Sequence, residues 1–210
     1  LKKYQNTLAF LNPRDVKAIL RTYMLEYIYF SPYFIWIGKY LHAFLKKIKM
    51  VYSFYDEMLL EMPTKYPYPC RLSSAQAKLG LLQLEKLDKN LEHRRKIASL
   101  LESKLKYYKF NNEMINNLAW IRYSILVKDR QSFIKKFNHK FDLGIWFLSL
   151  FGGRDNNFEE IGYKMGSCKN AEFVARHIVN FPTHQRIPLG IMEYELLKNL
   201  DWIKSQKIQL

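Results

Sequence analysis

The chain has 210 residues, 49% hydrophobic and 25% charged, a balance that supports a sizeable buried core and is that of a globular rather than a disordered chain. Two cysteines, Cys70 and Cys168, exclude a disulfide scaffold and any four-thiolate zinc or iron–sulfur centre. Thirty-four basic against 19 acidic residues give a net charge of +15, which admits an anionic partner but also follows from a lysine-rich coding bias.

The charge is uneven. Residues 1–70 hold ten basic and five acidic side chains, 71–141 sixteen and six, and 142–210 eight and eight. The excess therefore sits in the middle third. The first residue is Leu1 and no signal-peptide pattern follows it, so the expectation is a chain cut from a longer one and located in the cytoplasm.

Residues 14–62 are dense in large apolar side chains. The longest uncharged run, Tyr27 to Gly38, is 12 residues, against the ~20 a membrane span needs, so no span is expected. Pro32 cannot donate to a helix and disfavours helical geometry at Ser31, which predicts two helices, about 14–30 and 33–48. Their aromatics (Tyr23, Tyr27, Tyr29, Phe30, Tyr33, Phe34, Trp36, Tyr40, Phe44) exceed what one helical face can hide. Contact with another subunit, a further domain or a membrane surface is expected there.

Pro63, Pro67 and Pro69 force extended backbone and mark a linker, which sets off residues 1–69 as an aromatic-rich helical segment with its linker. Ser73 or Ser74 then caps the clearest helix in the chain. Leu84, Leu87, Leu91, Ala98, Leu101 and Leu105 form one apolar stripe at spacings of three, four and seven, with Glu85, Lys89, Glu92 and Lys96 on the opposite side. Beyond Asn111-Asn112, Ala119–Val127 is β-branched and aromatic and reads as a strand. A helix over 131–139 is expected next, then a strand over Leu143–Leu148. Gly152 to Asn157 is a loop by composition. A helix over Cys168–His177, a short strand Ile178–Phe181 and a terminal helix Gly190–Ser205 complete the chain. Strands alternating with helices predict an α/β arrangement in which helices cover one side of a small sheet.

Few residues carry chemistry on their own. Gly152-Gly153 fits neither a P-loop nor a dinucleotide fingerprint. The five histidines (42, 93, 139, 177, 184) share no metal-ligand spacing, so no metal is expected. Cys168 opens a helix, where the dipole favours a thiolate, but the plainer reading is a small residue beside a turn. Arg71, between the linker and a helix N-terminus, is either an anion contact or a linker brace. His184 follows Pro182-Thr183 in a turn after a strand, a place from which a loop reaches a ligand. No self-contained catalytic set is present.

Three stretches carry a resemblance. Arg71-Leu72-Ser73-Ser74-Ala75-Gln76-Ala77 through Asp88, followed by Arg94-Arg95-Lys96-Ile97-Ala98, resembles the DegT/DnrJ/StrS-type aminotransferases, in which an Arg–Met–Ser stretch opens an Ala/Leu/Gln helix and an arginine-bearing turn follows. Gly144-Ile145-Trp146-Phe147 resembles a strand of a divergent branch. Gly166-Ser167-Cys168, Asn170-Ala171-Glu172 and Val179-Asn180-Phe181-Pro182-Thr183-His184 resemble the closing helix and Leu–Pro–x–His turn. The similarity covers about residues 60–205.

The resemblance implies the carboxy-terminal part of an aspartate-aminotransferase-like pyridoxal-phosphate fold: an α+β small domain over 70–210, built of a long helix and a small, mostly antiparallel sheet covered by helices. Such enzymes usually move an amino group onto a keto sugar attached to a nucleotide, in polysaccharide and lipopolysaccharide sugar synthesis. Their Schiff-base lysine, cofactor-stacking aromatic and pyridine-nitrogen aspartate lie in a large amino-terminal domain. No lysine precedes a Gly-Gly segment here, so pyridoxal phosphate is implied by the family but not expected to be covalently bound by this chain, which should be inactive alone. A missing amino-terminal domain or second subunit would be its partner, in a homo-oligomer. Where the family commonly has Asn–Tyr–Arg before the helix, reaching across the dimer toward the cofactor phosphate, this chain has Pro69-Cys70-Arg71. Arg71 is carried over, and with it His184, as cofactor- or substrate-binding residues. Two alternatives stand beside this reading: a non-catalytic binding or scaffold protein that kept the fold, and a nucleic-acid binder. For the latter no motif is present, and no specific nucleic acid is expected.

Overall fold

The computed structural model describes residues 2–29, 31, 33–48, 50–51, 69–143, 150 and 158–208. The linker over 62–68, Gly144–Phe147 and the Gly152-Gly153 loop lie outside them. Two units, Leu1–Leu87 and Asp88–Leu210, each gather their own contacts.

In the first unit α1 (Lys2–Thr7) precedes α2 (Pro13–Tyr29) and α3 (Ile35–Lys47), close to the two helices expected. Pro13 sits at the first helical position, where a missing N–H costs nothing, and the Asn12 side chain accepts from the Arg14 N–H at 2.9 Å. Helices α2 and α3 pack on each other, with Leu25 of α2 against buried Leu45 of α3 and His42 Nδ1 3.9 Å from Glu26 Oε1. Helix α4 (Ser74–Leu84) begins at Ser73, whose hydroxyl accepts from the Gln76 N–H while the Gln76 side chain accepts from the Ser73 N–H, a complete capping box. No residue of α4 is buried.

The continuous helix expected from Ser73 or Ser74 to Leu105 is two helices. A turn at Glu85-Lys86 separates α4 from α5 (Leu87–Leu105). The stripe is buried only toward its far end: Leu84 and Leu87 are exposed, whereas Ile97, Ala98, Leu101 and Leu105 lie in the core of the second unit. Glu92 and Lys96 pair at 2.6 Å on the exposed side.

The second unit continues with α6 (Asn112–Asn116), β1 (Arg122–Val127), α7 (Arg130–Phe137), α8 (Lys169–His177), β2 (Ile178–Pro182), α9 (Leu189–Lys198), α10 (Leu200–Gln206) and β3 (Lys207–Ile208). The strands form one antiparallel sheet in the order β2-β1-β3, with Tyr123 opposite Phe181 and Ile125 opposite Val179. These four side chains and Val127 are buried with Phe133 and Phe137 of α7, Met192 and Leu196 of α9, and Ile203 of α10. Mixed helices and a small antiparallel sheet agree with the expected α/β class. Of the strand expected over Leu143–Leu148, only Leu143 is described; its carbonyl accepts the Asn180 N–H at 3.1 Å. The single terminal helix expected over Gly190–Ser205 is interrupted at Asn199.

Candidate functional site

The turn that leaves β2 is anchored from three directions. Thr183 is fully buried, and its hydroxyl donates to the carbonyls of Trp120 (2.6 Å) and Ile121 (3.0 Å), which lead into β1. From α5, one Arg94 Nη1 donates to the same two carbonyls at 3.2 and 3.0 Å and to Thr183 Oγ1 at 3.3 Å, while its Nε donates to Asn90 Oδ1 at 2.9 Å. His93, one residue earlier, places Nε2 2.9 Å from the Ile187 carbonyl. Both flanks of the turn are thus tied to α5 by polar side chains, beside the apolar core to which Ile187 and Trp120 belong.

His184 lies inside this arrangement. Its Nδ1 is buried and has no hydrogen-bond partner among the described residues. Burial, then the charges of Arg122, Arg186 and Arg94, pull the imidazole pKa down to about 4, against a smaller opposing effect from Asp142. At neutral pH it is therefore an uncharged ring in a cationic field. Arg122 donates to the Asp142 carbonyl at 2.8 Å, with a looser 3.8 Å approach to its carboxylate. Burial lowers the pKa of Arg122 and of Arg94. Among the described residues, three guanidinium groups act on His184 against one carboxylate. Arg94 directs its hydrogen bonds to neutral oxygens, which satisfy its donors without cancelling its charge. A positive potential of this kind suits an anion: phosphate or carboxylate.

Arg71 belongs to the other unit. Its N–H donates to the Ala9 carbonyl at 2.7 Å, pairing it with Phe10 in a parallel bridge. The guanidinium lies over the Phe10 ring, 4.5 Å from its centroid. Stacking on a ring face engages the π surface of the guanidinium and leaves its in-plane N–H groups for an acceptor. The contacts described for Arg71 are thus with Ala9 and Phe10, at the start of the segment that leads into α4. Each of the two residues carried over, Arg71 and His184, is described within its own unit.

Sequence reasoning did not single out Arg94, Arg122, Arg186 or Asp142 as site residues. Arg94 had a signal: it falls on the stripe of Leu91, Ala98, Leu101 and Leu105, where an arginine must find buried acceptors. The arginine-bearing turn that the resemblance implied is helical here, since Arg94 and Arg95 lie within α5. Cys168 is the exposed N-cap position of α8, and its side chain makes no cap hydrogen bond. Among the described residues no group of three His, Cys, Asp or Glu side chains could hold a metal.

A pyridoxal-phosphate site needs a desolvated amine, and among the described residues no lysine is buried. The described residues offer cations for an anionic group but do not by themselves fit that cofactor.

The model of the DegT/DnrJ/EryC1/StrS aminotransferase family matches residues 45–192, a span that includes Arg71, the whole α5 helix, β1, β2 and His184. Neither a curated protein nor a solved structure matches this chain.

Proposed function

The chain belongs to the DegT/DnrJ/EryC1/StrS aminotransferase family, and from that membership we propose that residues 70–210 are the small domain of a pyridoxal-phosphate-dependent enzyme that aminates a nucleotide-linked keto sugar. The observation that carries the reading is the family match over 45–192, which contains both Arg71 and His184. The family implies dependence on pyridoxal phosphate, which supplies the electron sink for moving the amino group. In this reading the lysine that holds the cofactor comes from a large domain or a second subunit, and these 210 residues alone do not transaminate.

What this chain contributes is recognition of charge. Arg71 offers in-plane donors to a phosphate, held in place by Phe10 and the Ala9 carbonyl. The β2 turn offers a cationic field from Arg94, Arg122 and Arg186, and His184 gives it an uncharged ring nitrogen. A diphosphate arriving there lowers the cost of protonating His184, so binding raises its pKa.

The test is titration of the full chain with a uridine-diphosphate sugar, followed by the His184 imidazole resonances. Saturable binding is expected, with the His184 pKa moved upward and affinity reduced about tenfold in His184→Asn, the scale of one lost hydrogen bond to a charged group. In parallel, pyridoxal phosphate and borohydride should leave no stoichiometric pyridoxyl-lysine; an adduct at one lysine overturns the assignment of that lysine to another domain. If neither ligand binds, the second reading stands: a binding or scaffold protein that keeps the fold.

A further inference from the structure

The feature furthest from the aminotransferase reading is the outward side of α2 and α3, nearly all of which precedes the family-matched span. Helix α3 is apolar on both sides. Ile35, Gly38 and Leu45 are buried, yet Trp36, Ile37, Tyr40, Leu41 and Phe44 are exposed, Tyr40 at 79%. Tyr33 and Phe34, just before α3, and Tyr27 and Ile28 of α2 are exposed as well. No isolated soluble helix hairpin is stabilised by leaving such side chains in water.

Charge decides what covers this surface. From Tyr27 to Tyr55 the sequence contains no Asp or Glu, but four lysines: Lys39, Lys46, Lys47 and Lys49. Lys46 and Lys47 close the last turn of α3, and both are exposed. A second copy meeting this patch through a two-fold axis would set Lys46 and Lys47 against their own copies, and Glu26, the last acidic residue before this stretch, lies 3.9 Å from His42. An anionic lipid surface meets both halves of the pattern: phosphates pair with the lysines, and Trp and Tyr rings lie at headgroup level with aliphatic side chains below. No helix among the described residues is long and apolar enough to cross a membrane, and α3, at 13 residues, spans ~20 Å end to end against a ~30 Å hydrocarbon core. The helix would lie in the interface plane.

We propose that the α3 surface, with the adjoining end of α2, docks the protein on an anionic membrane surface. This does not rest on the aminotransferase assignment.

Flotation of the full chain with vesicles tests it, using phosphatidylcholine alone and roughly three parts phosphatidylcholine to one part phosphatidylglycerol. Binding is expected to the anionic vesicles only and to fall with salt. Lys46→Gln/Lys47→Gln should weaken it on the order of tenfold, and Trp36→Glu/Tyr40→Glu should abolish it. Circular dichroism checks that both variants, altered only at exposed positions, keep their helices. Failure to bind anionic vesicles, equal binding to neutral ones, or unchanged binding by either variant overturns the proposal. A dimer that Trp36→Glu/Tyr40→Glu dissociates and that does not float with vesicles overturns it in favour of a second copy of the chain.

Discussion

Replacing His184 with asparagine should remove a specific part of the protein's acid sensitivity. The folded ring titrates near 4, against an ordinary value of 6.5, because burial and three nearby arginines disfavour the imidazolium. The unfolded chain therefore takes up this proton as pH falls through 6.5, while the folded chain refuses it until about 4. Stability linked to His184 is complete above 6.5, declines through the window and is gone below 4. From about pH 7.5 to about pH 5 the loss amounts to about 2 kcal/mol, at 1.36 kcal/mol per pH unit of separation. Urea unfolding at the two pH values, followed by the amide resonances of buried Ile125 and Val127 on β1, measures it in the unit that holds His184. The variant starts from its own baseline, and the comparison is the change with pH: the parent should lose about 2 kcal/mol more than His184→Asn. Parallel pH profiles would refute the account of a neutral ring in a cationic field. A diphosphate ligand that offsets the arginines should flatten the parent's profile and leave the variant's unchanged.

Three further outcomes follow from other contacts. Tyr123→Phe removes the hydroxyl that donates to buried Glu102 and leaves the Tyr108 N–H, at 3.2 Å, as a remaining donor, so guanidinium unfolding should show a loss of about 1–3 kcal/mol; no loss would mean the carboxylate is solvated in solution. Ser73→Ala breaks the capping box of a helix with no buried residue, and amide exchange across α4 should quicken by about 1 kcal/mol equivalent, with Ser73→Asp restoring it. Duplex DNA should bind weakly and without sequence preference in a filter assay, because Lys86, Lys89 and Lys96 are interleaved with Glu85, Asp88 and Glu92; tight binding that survives moderate salt would contradict this.

The parts of the fold that were legible in the sequence are those fixed by local chemistry. Ser73 with Gln76 is a capping pair at the required spacing, Pro13 and Pro32 bracket α2, and the β-branched, aromatic run that ends at Val127 contains a strand in which Tyr123, Ile125, Leu126 and Val127 are buried. Asn199 carried a local signal that a single terminal helix over Gly190–Ser205 passes over. Its side chain donates to the Glu195 carbonyl at 2.9 Å, the competition with the backbone that makes asparagine a poor helix former. The break at Glu85-Lys86 had no such mark, since both residues are good helix formers. The two-residue β3 pairs with Leu126 and Val127, some 80 positions away, and no window of sequence contains that pairing.

The candidate site divides along the same line. His184 was recognisable because a turn after a strand is where ligands are met, but its cationic surroundings come from α5, β1 and the turn itself, which only the fold assembles. Arg94 shows why such residues are missed. On a helical wheel it occupies a core-facing position, and a reading by hydrophobicity counts it as a defect in the stripe. In the folded unit that position reaches the Trp120 and Ile121 carbonyls and Thr183, just beyond the last strand pair, Arg122 with Pro182. The same guanidinium then serves two ends: it closes the turn, and its uncancelled charge helps keep His184 neutral. A methionine at 94 would fill the volume but leave the Trp120 and Ile121 carbonyls to the Thr183 hydroxyl alone, and a lysine would keep the charge but lose the second arm that Nε extends to Asn90 Oδ1. The requirement for arginine at this point of the stripe is therefore set by the geometry of the turn, and the electrostatics of the site follow from it.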